Sequence, residues 1–131
     1  MQTLSLVIPA YNETQRLPAL LDVLRGSARD AVAAAGFELV ESLIVDDGST
    51  DGTRALLEAA ATPEGTIRPI LDLKQNRGKG AAFRAGVMHA RGDYVLMADV
   101  DLSTPLEELP KLTRALTGGV EIAIGSRSVE G

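Results

Sequence analysis

The stretch YVLMADVD, residues 94–101, places two carboxylates directly after an apolar run. Residues 94–98 are predicted to form a strand, so Asp99 and Asp101 stand where that strand opens into a loop. Residues two apart on an extended chain point the same way, so these charges repel each other unless a cation lies between them. Hard oxygen ligands of this kind suit Mg²⁺ or Mn²⁺. For such a pair alone a solvated loop is the commoner arrangement, so the rest of the chain must decide.

Strand-forming runs alternate with amphipathic helical stretches on either side of this segment. Strands are predicted over residues 3–8, 37–45, 67–73, 94–98 and 120–124, and helices over 17–36, 54–58, 80–90 and 104–117. Pro69 interrupts the third strand, which places that strand near an edge of the sheet. Because strands alternate with helices, we expect an α/β fold with a mostly parallel sheet and helices on both faces.

Ligands of such sheets bind beyond the carboxyl ends of the strands. Polar segments follow four of the predicted strands: PAYNE at 9–13, DDG at 46–48, DVD at 99–101 and GSR at 125–127. Taken alone, residues 46–48 fit a plain turn, with Ser49, Thr50 or Asp51 as the cap of the next helix. In the functional interpretation, one of these carboxylates accepts a hydrogen bond from a nucleobase N–H or a ribose hydroxyl. Four polar segments at one edge favour a binding site.

The segment NRGKG, residues 76–80, offers two cations and free backbone N–H groups at a predicted helix start. Such a helix start suits an anion, although an ordinary polar turn explains these residues equally well. The spacing does not match a Walker phosphate loop, because Leu73 and Gly80 replace its Gly and its Ser or Thr. His89, the single histidine, fits a solvated position near a helix end better than a catalytic one.

Composition narrows the class of protein. The 131 residues suit one domain, and 13 basic against 18 acidic residues give a net charge of −5, so nucleic acid is not an expected partner. Any bound phosphate must be held by local groups or by a metal. The absence of cysteine excludes disulfides, zinc–thiolate sites and a cysteine nucleophile. No apolar run approaches the roughly 20 residues of a membrane span, so the expected compartment is the cytoplasm.

Six segments in order resemble one known family, glycosyltransferase family 2, whose members have the GT-A (Rossmann-like) fold. These segments are VIPAYNE (7–13), VDDGSTDGT (45–53), NRGKG (76–80), RGDY (91–94), DVDLSTP (99–105) and IGSR (124–127). Within the family they are most similar to the dolichyl-phosphate glucosyl- and mannosyltransferase branch. The resemblance implies inverting transfer of a hexose from a nucleotide diphosphate sugar to a polyprenyl phosphate, with Mg²⁺ or Mn²⁺. Residues 76–80 and 101–105 favour UDP-glucose as the donor, with GDP-mannose as its rival.

The resemblance also implies the residues of the site. Asp99 and Asp101 match the metal ligands, and Asp101 and Arg127 match the catalytic positions, with Arg127 reaching a phosphate. The implied nucleotide-sugar site comprises Pro9, Ala10, Tyr11, Glu13, Asp46, Asp47, Gly48, Lys79, Asp99 and Val100. Val100 stands where this branch usually has alanine.

Family members continue beyond the arginine motif, whereas this chain ends at Gly131. We therefore expect residues 1–131 to be a single nucleotide-sugar-binding domain that lacks the acceptor part, from an enzyme at the cytoplasmic face of a membrane. The alternative is a catalytically silent nucleotide-sugar-binding fragment, and a receiver-like signalling domain is a third interpretation. A sheet lacking its second half would expose apolar surface, which makes a homo-oligomer plausible.

Overall fold

The structure of the protein, a computed structural model, describes residues 2–100 and 124–126. The strands among them are β1 (Gln2–Ala10), β2 (Phe37–Asp47), β3 (Ile67–Leu73), β4 (Tyr94–Met97) and β5 (Ile124–Ser126). The helices are α1 (Leu17–Arg25), α2 (Ser27–Ala34), α3 (Thr53–Ala60) and α4 (Lys79–His89). The predicted helix over 104–117 and residues 120–123 of the last predicted strand lie outside the described residues.

The strands form one sheet in the order β3-β2-β1-β4-β5. β1 pairs in parallel with both β2 and β4, β2 pairs in parallel with β3, and β5 runs antiparallel to β4. The prediction of a mostly parallel sheet is therefore confirmed. The third strand lies at an outer edge, as expected for a strand that contains Pro69, because proline has no N–H to donate to a second neighbour.

Two apolar clusters cover the two faces of the sheet, and alternation along β1 separates them. Leu4, Leu6 and Ile8 belong to the cluster that includes buried residues of α1, α2 and α3. Val7 belongs to the opposite cluster, together with Val45 of β2 and residues of α4. Successive strand residues point to opposite faces, so one buried strand supplies both cores. The predicted helices on both faces are confirmed.

The helical region between β1 and β2 differs from its prediction. One helix was expected over 17–36, but the structure has two, because Gly26 (φ −128°, ψ −91°) leaves helical geometry between them. Glycine has a low helix propensity, and here it allows the chain to change direction after α1. Gly36, with φ +95°, follows the end of α2 close to the predicted stop.

Glu41 forms a buried charged network in the amino-terminal half of β2. Its fully buried carboxylate accepts hydrogen bonds from the Ser5 hydroxyl (2.6 Å), the Arg91 amide (2.6 Å) and the Arg68 guanidinium (2.5 Å). A buried charge is costly unless it is paired, and these partners come from three other segments. The network joins β1, β2 and β3 to the loop before β4.

In the part of the chain that the structure describes, none of the helices has the length and the apolar character needed to span a bilayer.

Gly86 allows α4 to lie close against the sheet. A Cβ at this position would stand 2.3 Å from Val7 Cγ1 and 3.2 Å from Val45 Cγ2, so alanine would press into a packed core. We expect Gly86→Ala to lower the free energy of unfolding in urea by about 1–3 kcal/mol. Gly80→Ala is the matched control in the same helix, since no described atom outside its chain neighbours and its own helix backbone lies within 4 Å of the added Cβ. That variant should be unchanged or more stable by up to about 1 kcal/mol. Equal stabilities of the two variants would contradict close packing at Gly86.

Candidate functional site

Two adjoining clefts, each of about 160 Å³, lie at the carboxyl-terminal edge of the parallel strands. The first cleft is lined by Pro9, Ala10, Tyr11, Glu13, Asp47, Asn76, Gly78 and Lys79. The second cleft is lined by Pro9, Glu13, Arg16, Lys79, Asp99 and Val100. Residues at or just beyond the carboxyl ends of β1, β2 and β4 thus meet the start of α4. Of the predicted site residues, Asp46 and Gly48 line neither cleft, and Asp101 and Arg127 lie outside the described residues.

A larger cleft of about 290 Å³ lies at the opposite ends of the strands, near the amino-terminal parts of β2 and β3. Glu41 is part of its lining, but that carboxylate is already engaged by Ser5, Arg68 and Arg91. In parallel α/β sheets the ligand crevice lies at the carboxyl ends of the strands. The two smaller clefts are therefore the better candidates despite their size.

Asn12 ties the loop after β1 to the loop after β2. Its Oδ1 accepts hydrogen bonds from the amides of Thr50 (2.9 Å) and Asp51 (3.3 Å), and its own amide donates to Ser49 Oγ (2.9 Å). The backbone of Asn12 has φ +54°, a conformation that asparagine tolerates better than most residues. The Glu13 amide adds a bond to Thr53 Oγ1 at 2.8 Å. The wall of the first cleft that carries Tyr11 is thereby held in place.

Sequence analysis did not single out Asn12 as a site residue. A signal was present, because asparagine directly after a strand is a common choice for a left-handed position. Its partners, however, are more than 35 residues away along the chain, which no local pattern reveals.

Asp47 holds the loop that precedes α4. Its Oδ1 accepts from the Arg77 amide (2.9 Å), and its Oδ2 accepts from the Gly78 amide (3.0 Å) and Asn76 Nδ2 (3.1 Å). The side chain is buried, so these bonds form away from bulk water and are correspondingly strong. Asp47 therefore fixes residues 76–78, which we call the 76–78 loop, and through it the start of α4 at Lys79.

Asp46 engages a different part of the structure. Its Oδ1 accepts from the Ser49 amide at 3.1 Å, and its Oδ2 lies 3.8 Å from an Arg54 guanidinium nitrogen on α3. Within the described residues, Oδ2 is buried without a hydrogen-bond partner. Adjacent strand residues point to opposite faces, which separates the two acids. Asp46 therefore contacts the loop between β2 and α3 and the first turn of α3, a region we call the β2–α3 side, whereas Asp47 lines the first cleft.

The start of α3 is fixed by the third acid of this segment. The N-cap position of α3 is held by Gly52, so the prediction of Ser49, Thr50 or Asp51 as the cap is wrong. Asp51 lies one residue earlier, and its Oδ1 accepts a hydrogen bond from the Thr53 amide at 2.9 Å. Hydrogen bonds from Thr53, that of its hydroxyl foremost, hold the pKa of Asp51 below its usual range. Asp51 therefore stays ionised at the amino end of α3, where negative charge is favoured.

Asp99 and Lys79 meet in the second cleft. Lys79 Nζ lies 2.7 Å from Asp99 Oδ1, although the two residues belong to different segments. A hydrogen bond from the Ala98 amide to the Val7 carbonyl (3.0 Å) continues the β1–β4 pairing up to Asp99. The end of the buried strand thus brings the Asp99 carboxylate into a cleft that also contains a basic side chain.

The metal-ligating groups of the second cleft suit a divalent cation that is bound partly by the protein and partly by a substrate. In the described part of the chain there is no cluster of three or more histidine, cysteine, aspartate or glutamate residues that could hold a metal alone. Mg²⁺ is usually bound by one or two carboxylates plus substrate phosphates rather than by an all-protein cage. Asp99, a partly exposed carboxylate lining an open cleft, fits that pattern.

Comparison with known proteins defines the class of protein. The profile of glycosyl transferase family 2 matches residues 5–131. The chain therefore belongs to glycosyl transferase family 2, and the predicted family and enzyme class, a glycosyltransferase, are confirmed.

Two relatives within this family share substantial sequence identity with the chain. The chain is 41% identical over 122 residues to an undecaprenyl-phosphate 4-deoxy-4-formamido-L-arabinose transferase of Pseudomonas paraeruginosa, covering 93% of this chain and 34% of that protein. A protein of the same name from Yersinia pestis is 38% identical, with 93% and 36% covered. The chain thus spans about a third of the length of these relatives.

Solved structures share the fold. A mannosyltransferase, PcManGT from Pyrobaculum calidifontis in complex with GDP-Man and Mn²⁺, superposes with a TM-score of 0.65 at 26% identity, covering 92% of this chain and 33% of that one. Staphylococcus aureus TarS in complex with UDP gives a TM-score of 0.60 at 27% identity, with 76% and 27% covered. The predicted α/β fold of the GT-A type is confirmed.

Proposed function

We propose that this chain is the nucleotide-sugar-binding part of a glycosyltransferase that uses a polyprenyl-phosphate acceptor. The observation that carries the proposal is that the ends of β1, β2 and β4 meet the start of α4 at two adjoining clefts, with Asp99 and Lys79 in contact in the second. The names of the relatives, undecaprenyl-phosphate sugar transferases, support the acceptor class.

The first cleft suits a nucleoside. Tyr11 is 43% exposed, so its ring is available for stacking on a base, and stacking of this kind tolerates more than one base. Glu13 lies between the two clefts, where its carboxylate can accept hydrogen bonds from ribose hydroxyls. The bonds of Asn12 to the β2–α3 loop would hold Tyr11 and Glu13 in position before the ligand arrives.

The start of α4 suits a diphosphate. Gly78, at the amino end of this helix, provides no capping side chain, so backbone N–H groups in the first turn can meet an anion. Lys79 adds a positive charge at the same place. Asp99 would hold Mg²⁺ or Mn²⁺, with Asp101 as the second proposed ligand and Arg127 reaching a phosphate. The metal, when bound, supplies positive charge that stabilises the departing nucleoside diphosphate.

A lipid phosphate is a nucleophile that hardly needs a general base. Its second pKa is near ~6, so it is mostly ionised at neutral pH. The clefts therefore need to bind and orient a donor and to neutralise charge, which their residues are suited to do. UDP-glucose stays the donor predicted from sequence, with GDP-mannose as its rival. The relatives are named for a formamido-arabinose, so the donor series tested should extend beyond hexoses.

Removing the Asp99 carboxylate tests the proposal. Asp99→Asn keeps the shape of the side chain but removes its charge, so manganese-dependent binding of UDP should weaken by about 10- to 100-fold, the loss expected for one charge-assisted contact of about 1.5–3 kcal/mol. Isothermal titration calorimetry with UDP, with and without Mn²⁺, measures this. Asp22→Asn, an exposed aspartate on α1, is the matched control and should bind as the unmodified chain does. Unchanged manganese-dependent affinity in Asp99→Asn would contradict the proposal.

A transfer assay distinguishes an active glycosyltransferase from the alternative, a catalytically silent binding fragment. Each donor is offered with a short polyprenyl phosphate and Mn²⁺, and product is measured beside the binding experiment. Binding without transfer selects the silent fragment. The receiver-like interpretation has lost its basis, because the chain belongs to a glycosyltransferase family.

Three sequence-based expectations stay predictions. Residues 1–131 are proposed to form one domain, the enzyme is proposed to work at the cytoplasmic face of a membrane, and self-association is proposed through exposed apolar surface. Met88 and Met97, which are 73% and 41% exposed, are part of such surface.

A further inference from the structure

Lys79 stands where the two clefts join. It opens α4, lines both clefts, and places its ammonium 2.7 Å from Asp99 Oδ1. Its side chain is 61% exposed and that of Asp99 is 39% exposed, so the contact lies at the cleft surface. This ammonium occupies an oxygen of the carboxylate that would hold a divalent cation.

A divalent cation bound at Asp99 would compete with Lys79 for this carboxylate. Both are positively charged, and their repulsion at a few ångströms opposes binding of the second while the first is in contact. Arg16, the other basic residue lining the second cleft, is already paired with Glu13 at 3.6 Å. Among the described residues that line this cleft, Lys79 is the basic residue in contact with Asp99.

A diphosphate would change this balance. Its oxygens would lie at the start of α4, beside the backbone of Lys79, and would offer the ammonium an alternative anionic partner. Once the ammonium turns to the phosphates, the Asp99 oxygen becomes available to the metal. Each ligand would then strengthen the binding of the other by the same factor, as coupled equilibria require.

We propose that Lys79 is a built-in counter-cation of Asp99, which suppresses metal binding until a nucleoside diphosphate engages the lysine. The inference rests on the proposed function, because it assigns the Asp99 cleft to metal and nucleotide. It adds an order to binding: the chain alone binds Mn²⁺ weakly, and the chain with UDP binds it tightly.

Titration of Mn²⁺ without nucleotide tests the inference. Electron paramagnetic resonance reports free Mn²⁺, so affinity is measured without any activity assay. Lys79→Met removes the charge and keeps a similar length, and we expect it to bind Mn²⁺ about tenfold more tightly than the unmodified chain, since one like charge beside the site is lost. Lys79→Arg keeps the charge and should stay within about twofold of the unmodified chain.

Two control variants test whether the gain in Mn²⁺ affinity comes from the contact between Lys79 and Asp99. Lys74→Met removes the same charge from an exposed lysine that belongs to neither cleft, and should leave Mn²⁺ affinity within about twofold. In Lys79→Met combined with Asp99→Asn, the gain should disappear. With UDP present, the Mn²⁺ affinity of Lys79→Met should no longer exceed that of the unmodified chain.

The outcomes separate the two proposals. No gain in Lys79→Met, an equal gain in Lys74→Met, or a gain that survives Asp99→Asn would overturn the counter-cation. Failure of the unmodified chain to bind UDP with Mn²⁺ would instead overturn the proposed function. If UDP binds normally and Lys79→Met shows no gain, only the present inference fails.

Discussion

Asp47→Ala should lower the free energy of unfolding by about 2–4 kcal/mol and weaken UDP binding by at least about tenfold. The variant removes a buried acceptor of three hydrogen bonds, two of them from the backbone amides of Arg77 and Gly78. Bonds to a charged group contribute about 1.5–3 kcal/mol each, but the 76–78 loop is partly exposed and water would replace part of the loss. Because this loop positions Lys79, the binding defect should accompany the loss of stability.

Urea denaturation measures the stability change, and amide hydrogen exchange locates it. Exchange should quicken at Arg77 and Gly78, the amides that lose their acceptor. Asp46→Ala is the matched control, because its carboxylate is equally buried but accepts one hydrogen bond, from the Ser49 amide, within the described residues. We expect it to cost less than half as much and to leave exchange at the 76–78 loop unchanged. If Asp46→Ala destabilised the loop as much as Asp47→Ala, the assigned role of Asp47 would be wrong.

Gly48→Ala should lower the free energy of unfolding by about 2–5 kcal/mol, through two separate causes. Gly48 has φ +75°, a conformation that disfavours any residue with a Cβ. A Cβ there would also lie 2.4 Å from the carbonyl carbon of Gln75 and 2.6 Å from the amide nitrogen of Asn76. These are backbone atoms, so a side-chain rotation cannot relieve the clash. The 76–78 loop would have to move away from β2, and Asp47 would lose its partners.

Gly36→Ala separates the two causes. Gly36 has φ +95°, but no described atom beyond its two chain neighbours lies within 4 Å of the added Cβ, so alanine should suffer mainly the backbone penalty of about 1–2 kcal/mol. Urea denaturation of both variants gives the cost of the clash as the difference between them. UDP affinity should fall in Gly48→Ala and stay unchanged in Gly36→Ala, which lies at the end of α2. Similar losses of stability in the two variants would mean that the β2 end and the 76–78 loop are not in close contact.

These experiments probe one physical arrangement from two sides. Asp47 attracts the 76–78 loop through its carboxylate, and Gly48 permits the approach because it has no side chain. Asp47 at the end of β2 and Gly48 in the following turn thus serve as a support for the start of α4. This support is distinct from direct contact with a nucleotide, and it explains why Gly48 matters although it lines neither cleft.

The sequence by itself determined the architecture and the family. Alternating strand and helix patterns predicted a parallel sheet covered on both faces, and Pro69 placed β3 at an edge, because these features depend on local periodicity and on a missing N–H group. The position of Asp99 after a buried strand was likewise a local property. The ordered motifs identified the family, since six short segments in a fixed order are far more specific than any one of them.

Only the tertiary structure decided which partners the acidic side chains and the loops contact. It assigned Asp47 to the 76–78 loop and Asp46 to the β2–α3 side, paired Lys79 with Asp99, and showed that Asn12 joins two loops. It also broke the predicted long helix at Gly26. Local patterns specify where a strand ends, whereas partners of Asp99, Asp47 and Glu41 lie 20 to 50 residues away, in segments that only folding brings together.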